Sequence, residues 1–170
     1  MCIRDSSDIA GIDAVIAMSP GAVGGTDTSI KLKKADLMDG LTVGVSWGDI
    51  NPSQMDGGST EVTLSASYAV GGVTIGVSDT SIDQDAASSS DIDAIHIGAS
   101  FAVNDDVTVS VDRSTADNAK QSLDEEATSY QVSYSMGSMS IKAHLTKADN
   151  VGYSSTNTDE NKAIAVSFSF

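Results

Sequence analysis

The stretch Ala163–Phe170 reads AIAVSFSF, and the chain stops on its phenylalanine. Ile164, Val166, Phe168 and Phe170 alternate there with alanine and serine. Successive side chains of a strand point to opposite faces, so this order predicts a strand with one apolar face and one face of small residues. Chain ends usually fray into polar tails, because little holds them. A final strand with so strong a contrast predicts that its apolar face meets something.

The same pattern runs upstream. Glu61–Val70 places Val62, Leu64, Ala66, Tyr68 and Val70 on one face, and Ala94–Val103 does so with Ile95, Ile97, Ala99, Phe101 and Val103. Tyr130–Met136 and Met139–Leu145 repeat it. No segment holds a helical period, so the chain reads as all-β. Tight connections rich in Gly, Asn and Asp follow Val70, Val103 and Met136, as hairpin turns require. Long polar connections are expected near 49–60, 80–93, 114–128 and 148–161.

These units repeat. SYAVGGVTIGVSD, SFAVNDDVTVSVD and SYSMGSMSIKAHL are successive copies of one hairpin. Tyr68, Phe101 and Tyr134 hold the same place in each, about 33 residues apart. Nine strands are predicted near 28–35, 41–48, 61–70, 73–79, 94–103, 107–113, 128–136, 139–146 and 162–170, with a weaker tenth near 9–18.

Alternation alone fits two architectures. In a soluble sandwich, such as a secreted or surface-displayed adhesin-like binding domain, the apolar face is a core. In an up-and-down transmembrane barrel it faces lipid and the small polar face lines the interior. Short turns at one end and long loops at the other favour the barrel. So does aromatic placement: Tyr68, Phe101, Tyr134, Phe168 and Phe170 lie near the tight-turn end, and Trp47 near the other, where interfacial girdles would form. The polar face carries Ser, Thr, Gly and Ala more than Lys, Glu or Arg.

Composition narrows the function. The net charge is -15 with only nine scattered basic residues, which excludes a nucleic-acid partner. No run reaches the roughly 18–20 apolar residues of a spanning helix. No nucleophile motif, metal-binding helix or phosphate loop is present, so no catalytic residue, metal site or cofactor is expected and the chain reads as a non-enzyme. His96 and His144 fall on the polar faces of separate strands and read as solvated wall residues. Asp79, Asp83, Asp85, Asp91 and Asp93 read as solvated loop acids; loose divalent binding, or bridging to lipopolysaccharide phosphates, is the alternative.

Residues 1–6, MCIRDS, resemble a translated sequencing adapter and are set aside as a non-native scar, taking Cys2, the one cysteine, with them. The expectation is then a carboxyl-terminal fragment, with residues 7–170 forming part of one barrel domain.

AIAVSFSF is similar to the carboxyl-terminal assembly signal of Gram-negative outer-membrane proteins, here Ile164, Val166, Phe168 and Phe170. Together with SYAVGGVTIGVSD, NDDVTVSVD and SYQVSYSMGSMSI it makes residues 28–170 resemble the carboxyl-terminal part of a general bacterial porin of alphaproteobacterial type. The resemblance implies a 16-stranded, trimeric, water-filled outer-membrane barrel that passes small hydrophilic solutes. It implies contact with outer-membrane lipid and lipopolysaccharide and insertion by the barrel assembly machinery. Tight turns and the carboxyl terminus would be periplasmic, and the long loops extracellular.

Rings of charge set ion preference in pores. Lys31, Lys33, Asp112, Lys142 and His144 are the pore-lining candidates, with Asp112 expected as a lone inward acid. In the family a basic ladder faces acids on a constriction loop, and Lys31, Lys33 and Lys142 are either part of such a ladder or ordinary wall charges. Acidic loops would concentrate cations at the mouth, which predicts mild cation preference.

Overall fold

The computed structural model describes residues 3–20, 26–50, 58–85 and 90–168. Eleven strands follow in chain order: β1 (Ile3–Ile9), β2 (Ile12–Pro20), β3 (Thr26–Met38), β4 (Leu41–Ile50), β5 (Ser59–Val70), β6 (Val73–Gln84), β7 (Ile92–Ala102), β8 (Val107–Asn118), β9 (Glu125–Met136), β10 (Met139–Asp149) and β11 (Thr158–Phe168). Each pairs antiparallel with its sequence neighbours, giving one up-and-down sheet with β1 and β11 at its edges. No helix occurs among the described residues.

The strand count exceeds the nine or ten expected. The weak strand near 9–18 is a hairpin, turning at Ala10 and Gly11, both at positive φ. The Asp8 carboxylate accepts the Gly11 N–H at 3.0 Å and closes that turn. β1 went unseen because Ile3–Ser6 had been set aside; Met1 and Cys2 lie outside the described residues.

Strands also run further into the polar connections than expected. β6 continues to Gln84 and includes Asp79 and Asp83, while β7 takes in Asp93, so only Asp85 and Asp91 of that acidic group lie in a connection. β8 continues to Asn118 and β9 begins at Glu125. Backbone pairing does not need apolar side chains, and Thr-rich extensions such as Ser114–Thr115 suit a pleated ladder. A strand crosses a bilayer in about 9–11 residues when tilted. The 12-residue β5, β6, β8 and β9 therefore reach past the hydrocarbon at the long-connection end.

Tight turns occupy the other end. Gly40, Gly71 and Gly137 take positive φ in the turns after β3, β5 and β9. The four-residue turn after Ala102 is held by Asn104, whose side-chain oxygen accepts the Asp106 and Val107 N–H groups at 2.9 and 2.8 Å.

Directly opposed residues share a face, so the register sorts the sheet into two sides. Val73, Phe101, Val109, Val132, Ala143 and Ile164 form one lateral row across β6–β11. Lys33, Gly44, Ser65, Ser78, His96 and Ser114 form a row on the opposite face of β3–β8. The sheet is a single layer. No described residue is buried, and Ile164, Leu64 and Ile97 are 76%, 58% and 56% exposed. A sandwich would cover one of these faces with a second sheet. No described residue covers either, and an apolar face left open in this way is an outer surface suited to a nonaqueous neighbour.

Candidate functional site on the polar face

Period two places the polar side chains of β3–β8 together. The face opposite the apolar one forms a trough of about 550 Å³, with Lys31, Lys33, Ser65, Ser78, His96 and Asp112 along its lining. Its floor is smooth because Gly44, Ser65 and Ser78 stand side by side in one row and Ser67, Gly76 and Gly98 in the next. Ser65 Oγ donates to the Gly44 carbonyl at 3.3 Å, so little protrudes there.

Lys31 opposes Val15 and Ser46, and Lys33 opposes Asp13 and Gly44. Asp112 lies between Gly98 and Ser129. The structure therefore brings Lys31, Lys33, His96 and Asp112 into one trough. Lys142 and His144 share the face but sit further round the wall on β10, opposite Ser133 and Gln131. His144 Nε2 is 2.9 Å from Asn161 Oδ1.

Asp112 is not the lone acid of this face. Asp13 stands across from Lys33, and Glu61, Glu125 and Asp159 share the same parity toward the long connections. Asp13 lies in the strand that the sequence showed only weakly, Glu61 opens the predicted strand 61–70, and Glu125 and Asp159 fall in connections expected to be loop. Among the described residues no group of three or more His, Cys, Asp or Glu is arranged to hold a metal ion.

The apolar face carries the aromatic candidates. Tyr68 opposes Leu41 and Ile75, Phe101 opposes Val73 and Val109, and Tyr134 opposes Val107 and Ile141. Trp47 lies between Ile30 and Val62, in the half of β4 toward the long connection. Val166 and Phe168 join Ile164 on this face, opposite Ile141 and Met139. Phe170 lies outside the described residues.

At the long-connection end the strand tips are tied sideways. The Gly152 N–H donates to Glu125 Oε2 and Asn150 Nδ2 to the Asp124 carbonyl, both at 2.9 Å. Burial pushes the Tyr153 phenol above its usual value, and the Glu125 charge adds to this, while a hydrogen bond with Asn118 opposes it.

The same end shows an arrangement that sequence reading missed. On the apolar side, Arg113 Nη2 lies 2.7 Å from Glu126 Oε2, and Glu160 pairs with both Lys147, at 3.6 Å, and Lys162. The signal was the alternation itself, continued two residues past Val111 and Leu145 and two before Ile164.

A single-layer, up-and-down antiparallel sheet with an apolar outside and a small-residue polar inside defines the wall of a transmembrane β-barrel. A sequence model of the Gram-negative porins matches residues 3–170, and the chain belongs to that family, whose place is the outer membrane. Two solved structures share the fold. In-vitro folded OmpT, an outer membrane protein of Vibrio cholerae, superposes with a TM-score of 0.76 at 13% identity, covering 98% of this chain and 63% of that one. The outer-membrane expressed OmpT of Vibrio cholerae gives 0.71 at 13% identity, covering 87% and 54%. The chain thus spans less than two thirds of either neighbour's length. No curated protein matches it.

The expectation that the chain is a non-enzyme is corrected by these neighbours. At 13% identity the OmpT structures carry the fold alone. A fold hosts functions through its sites, so an outer-membrane barrel gives no ground for excluding an activity.

Proposed function

We propose that the chain forms part of a passive diffusion channel for small hydrophilic solutes and ions. One observation carries this reading: the trough of Lys31, Lys33, His96 and Asp112 lies on the polar face of an otherwise uncovered wall. Water and solutes would pass along that face while lipid meets the other. In this reading Lys31, Lys33, Asp112, Lys142 and His144 line the pore and bias its ions. Acids at the strand tips, among them Glu61, Glu125 and Asp159, support mild cation preference.

The reading extends to partners. Tight turns and the carboxyl terminus face the periplasm, and the long connections face outward to lipopolysaccharide. Ile164, Val166, Phe168 and Phe170 serve as the assembly signal read by the barrel assembly machinery. Trp47, Tyr68, Phe101 and Tyr134 sit at the membrane interfaces, and the complete barrel, of about sixteen strands, associates as a homotrimer. Coverage of 63% and 54% of the OmpT structures is in keeping with reading residues 7–170 as part of one such barrel, here proposed to be its carboxyl-terminal part. The adapter-like origin of residues 1–6 stands as a proposal that genomic sequence upstream of Ser7 tests.

Planar-bilayer recording on the full-length protein is the test. Stepwise conductance with ohmic current is the expected result. A protein that folds in detergent and inserts without any conductance step would overturn the channel reading.

A further inference from the structure

We propose that the connection between β10 and β11 is a strap fixed over the polar face, holding Tyr153 where solutes enter. The proposal deepens the channel reading and rests on it, with the long connections outward.

Hydrogen bonds place the strap. It leaves β10 at Asp149 and enters β11 at Thr158, so its shortest course would stay above those two strands. Instead it leans back over β9. The Gly152 N–H donates to Glu125 Oε2 and Asn150 Nδ2 to the Asp124 carbonyl, both at 2.9 Å. Tyr153 goes further and shares a hydrogen bond with Asn118 of β8, two strands and roughly 10 Å from β10.

The register says which side of the wall this is. Glu125 opposes Ala116 and Asn118 opposes Ile92, in the alternation that also carries Asp112, Ser114 and His96. Glu126, the next residue, is on the other side and pairs with Arg113. The side chains that hold the strap are therefore inward ones. Asn118 stands six residues past Asp112 along β8, roughly 20 Å nearer the outer end. A solute following the polar face of β8 inward would pass Tyr153 before it meets Asp112.

The strap is also braced within itself. The Val151 N–H donates to the Asn157 carbonyl at 3.0 Å, and Asn157 Nδ2 to the Val151 carbonyl at 3.1 Å. The Ser154 N–H donates to the Asn150 carbonyl at 3.2 Å. Asn150, Gly152 and Tyr153 take positive φ, of 56°, 66° and 60°. That conformation is uncommon for a bulky side chain and persists only where the surroundings impose it. Glu125 and Asn118 are those surroundings. Asn118 is itself held, since its Oδ1 accepts from Ser90 Oγ and from the Lys120 N–H, which leaves its amide N–H for the Tyr153 oxygen. One side chain thus joins the connections after β6, β8 and β10. Asn118, Glu125, Asn150 and Tyr153 are half-buried in a wall where no described residue is fully buried. An aromatic ring fixed at this level takes up cross-section that a solute would use, whereas a loose loop would be pushed aside.

Hydrogen exchange and planar-bilayer recording on the full-length protein test this together. In the wild type the amides of Val151, Gly152, Ser154 and Asn157 should exchange slowly. Glu125→Ala should speed exchange across 150–157 by about tenfold or more, the scale of one hydrogen bond to a charged group, and leave the interiors of β9 and β10 protected. Glu125→Gln keeps an acceptor and should restore most of that protection. Tyr153→Gly suits the backbone and removes the ring. It should raise single-channel conductance and shift the exclusion limit to longer polyethylene glycols, as should Glu125→Ala. Tyr130→Leu, on the apolar face of β9, should change neither.

An exclusion limit unmoved by Tyr153→Gly and Glu125→Ala in a conducting protein would overturn the proposal alone. Fast exchange of 150–157 in the wild type would overturn it too. Should Glu125→Ala not fold, Tyr153→Gly decides. A wild type that conducts nothing while its strap amides stay protected would overturn the channel reading, and this proposal with it.

Discussion

Arg113 and Glu126 meet across β8 and β9 with Nη2 2.7 Å from Oε2, although Arg113 is in register with Thr128 and not with Glu126. The pair is diagonal, on the apolar side of the sheet and past the end of its apolar band. Both side chains remain well exposed, at 59% and 43%. A double-mutant cycle on Arg113→Ala and Glu126→Ala, read from denaturant unfolding in detergent, should give a coupling of about 0–1 kcal/mol. A coupling several times larger would mean that this level of the wall is shielded from water.

Replacing outward Ile97 with Arg should cost about 2–4 kcal/mol of folding free energy in lipid vesicles, because a cation would enter the hydrocarbon. Replacing Ser100, on the polar face of the same strand, with Arg should change stability little. Equal costs at the two positions would reverse or erase the assignment of faces.

Charge reversal on the polar face should move selectivity. Lys31→Glu with Lys33→Glu, or Lys142→Glu, should raise the cation-over-anion permeability ratio by roughly twofold or more. Reversal potentials under a salt gradient measure this. Since Lys142 lies on β10, away from the trough, a null result there with a clear shift at Lys31 and Lys33 would confine ion selection to the β3–β8 arc.

Gly40 turns the chain between β3 and β4 at φ +77, and its carbonyl accepts the Ala69 N–H at 2.9 Å. A Cβ at this position would run into the Ala69 carbonyl oxygen. Gly40→Ala should therefore destabilise the fold by about 1–2 kcal/mol from the left-handed backbone alone, and more from the clash. Gly71 is also at positive φ, but no atom stands within 4 Å of the added carbon, so Gly71→Ala should cost less. Unfolding midpoints of the two variants give the comparison.

Tyr153 should titrate above the usual tyrosine value of about 10. A phenol whose folded pKa is raised contributes stability that is present below the unfolded pKa. That stability is lost as the pH climbs through the folded value. The connection 150–157 should therefore hold at neutral pH and loosen only above about pH 10. Ultraviolet difference absorbance of the protein against Tyr153→Phe isolates this phenol, and titration at or below the ordinary value would contradict the packing at Glu125.

Much of the wall was legible in the residues. Val, Ile and aromatic side chains at every second position, with Gly-Gly, Asn-Asp-Asp and Gly-Ser between runs, located most strands and the tight turns after β5, β7 and β9. Period two is a local property, so each strand announces its own two faces. The hairpin at Ala10 and Gly11 was missed because its strands lack strong contrast, and Ile3–Ser6 had been excluded. Strand ends were missed for another reason. Polar residues such as Ser114 and Asn118 pair through their backbones as readily as apolar ones, and only the neighbouring strand decides where the ladder stops.

Alternation by itself determined that this protein is a sheet with one apolar and one small polar face, and the repeat determined that its strands follow one another up and down. Which side chains become neighbours was decided by tertiary structure, because register depends on turn length and on the stagger between strands. That stagger sets Lys31, Lys33, His96 and Asp112 around one trough and leaves Lys142 outside it. It also carries a single lateral row from apolar Val43 to charged Arg113 and Lys147. And only the single layer could show that, among the described residues, no second sheet lies against the face of Ile164, Val166 and Phe168, since alternation reads the same whether lipid or a second sheet lies there.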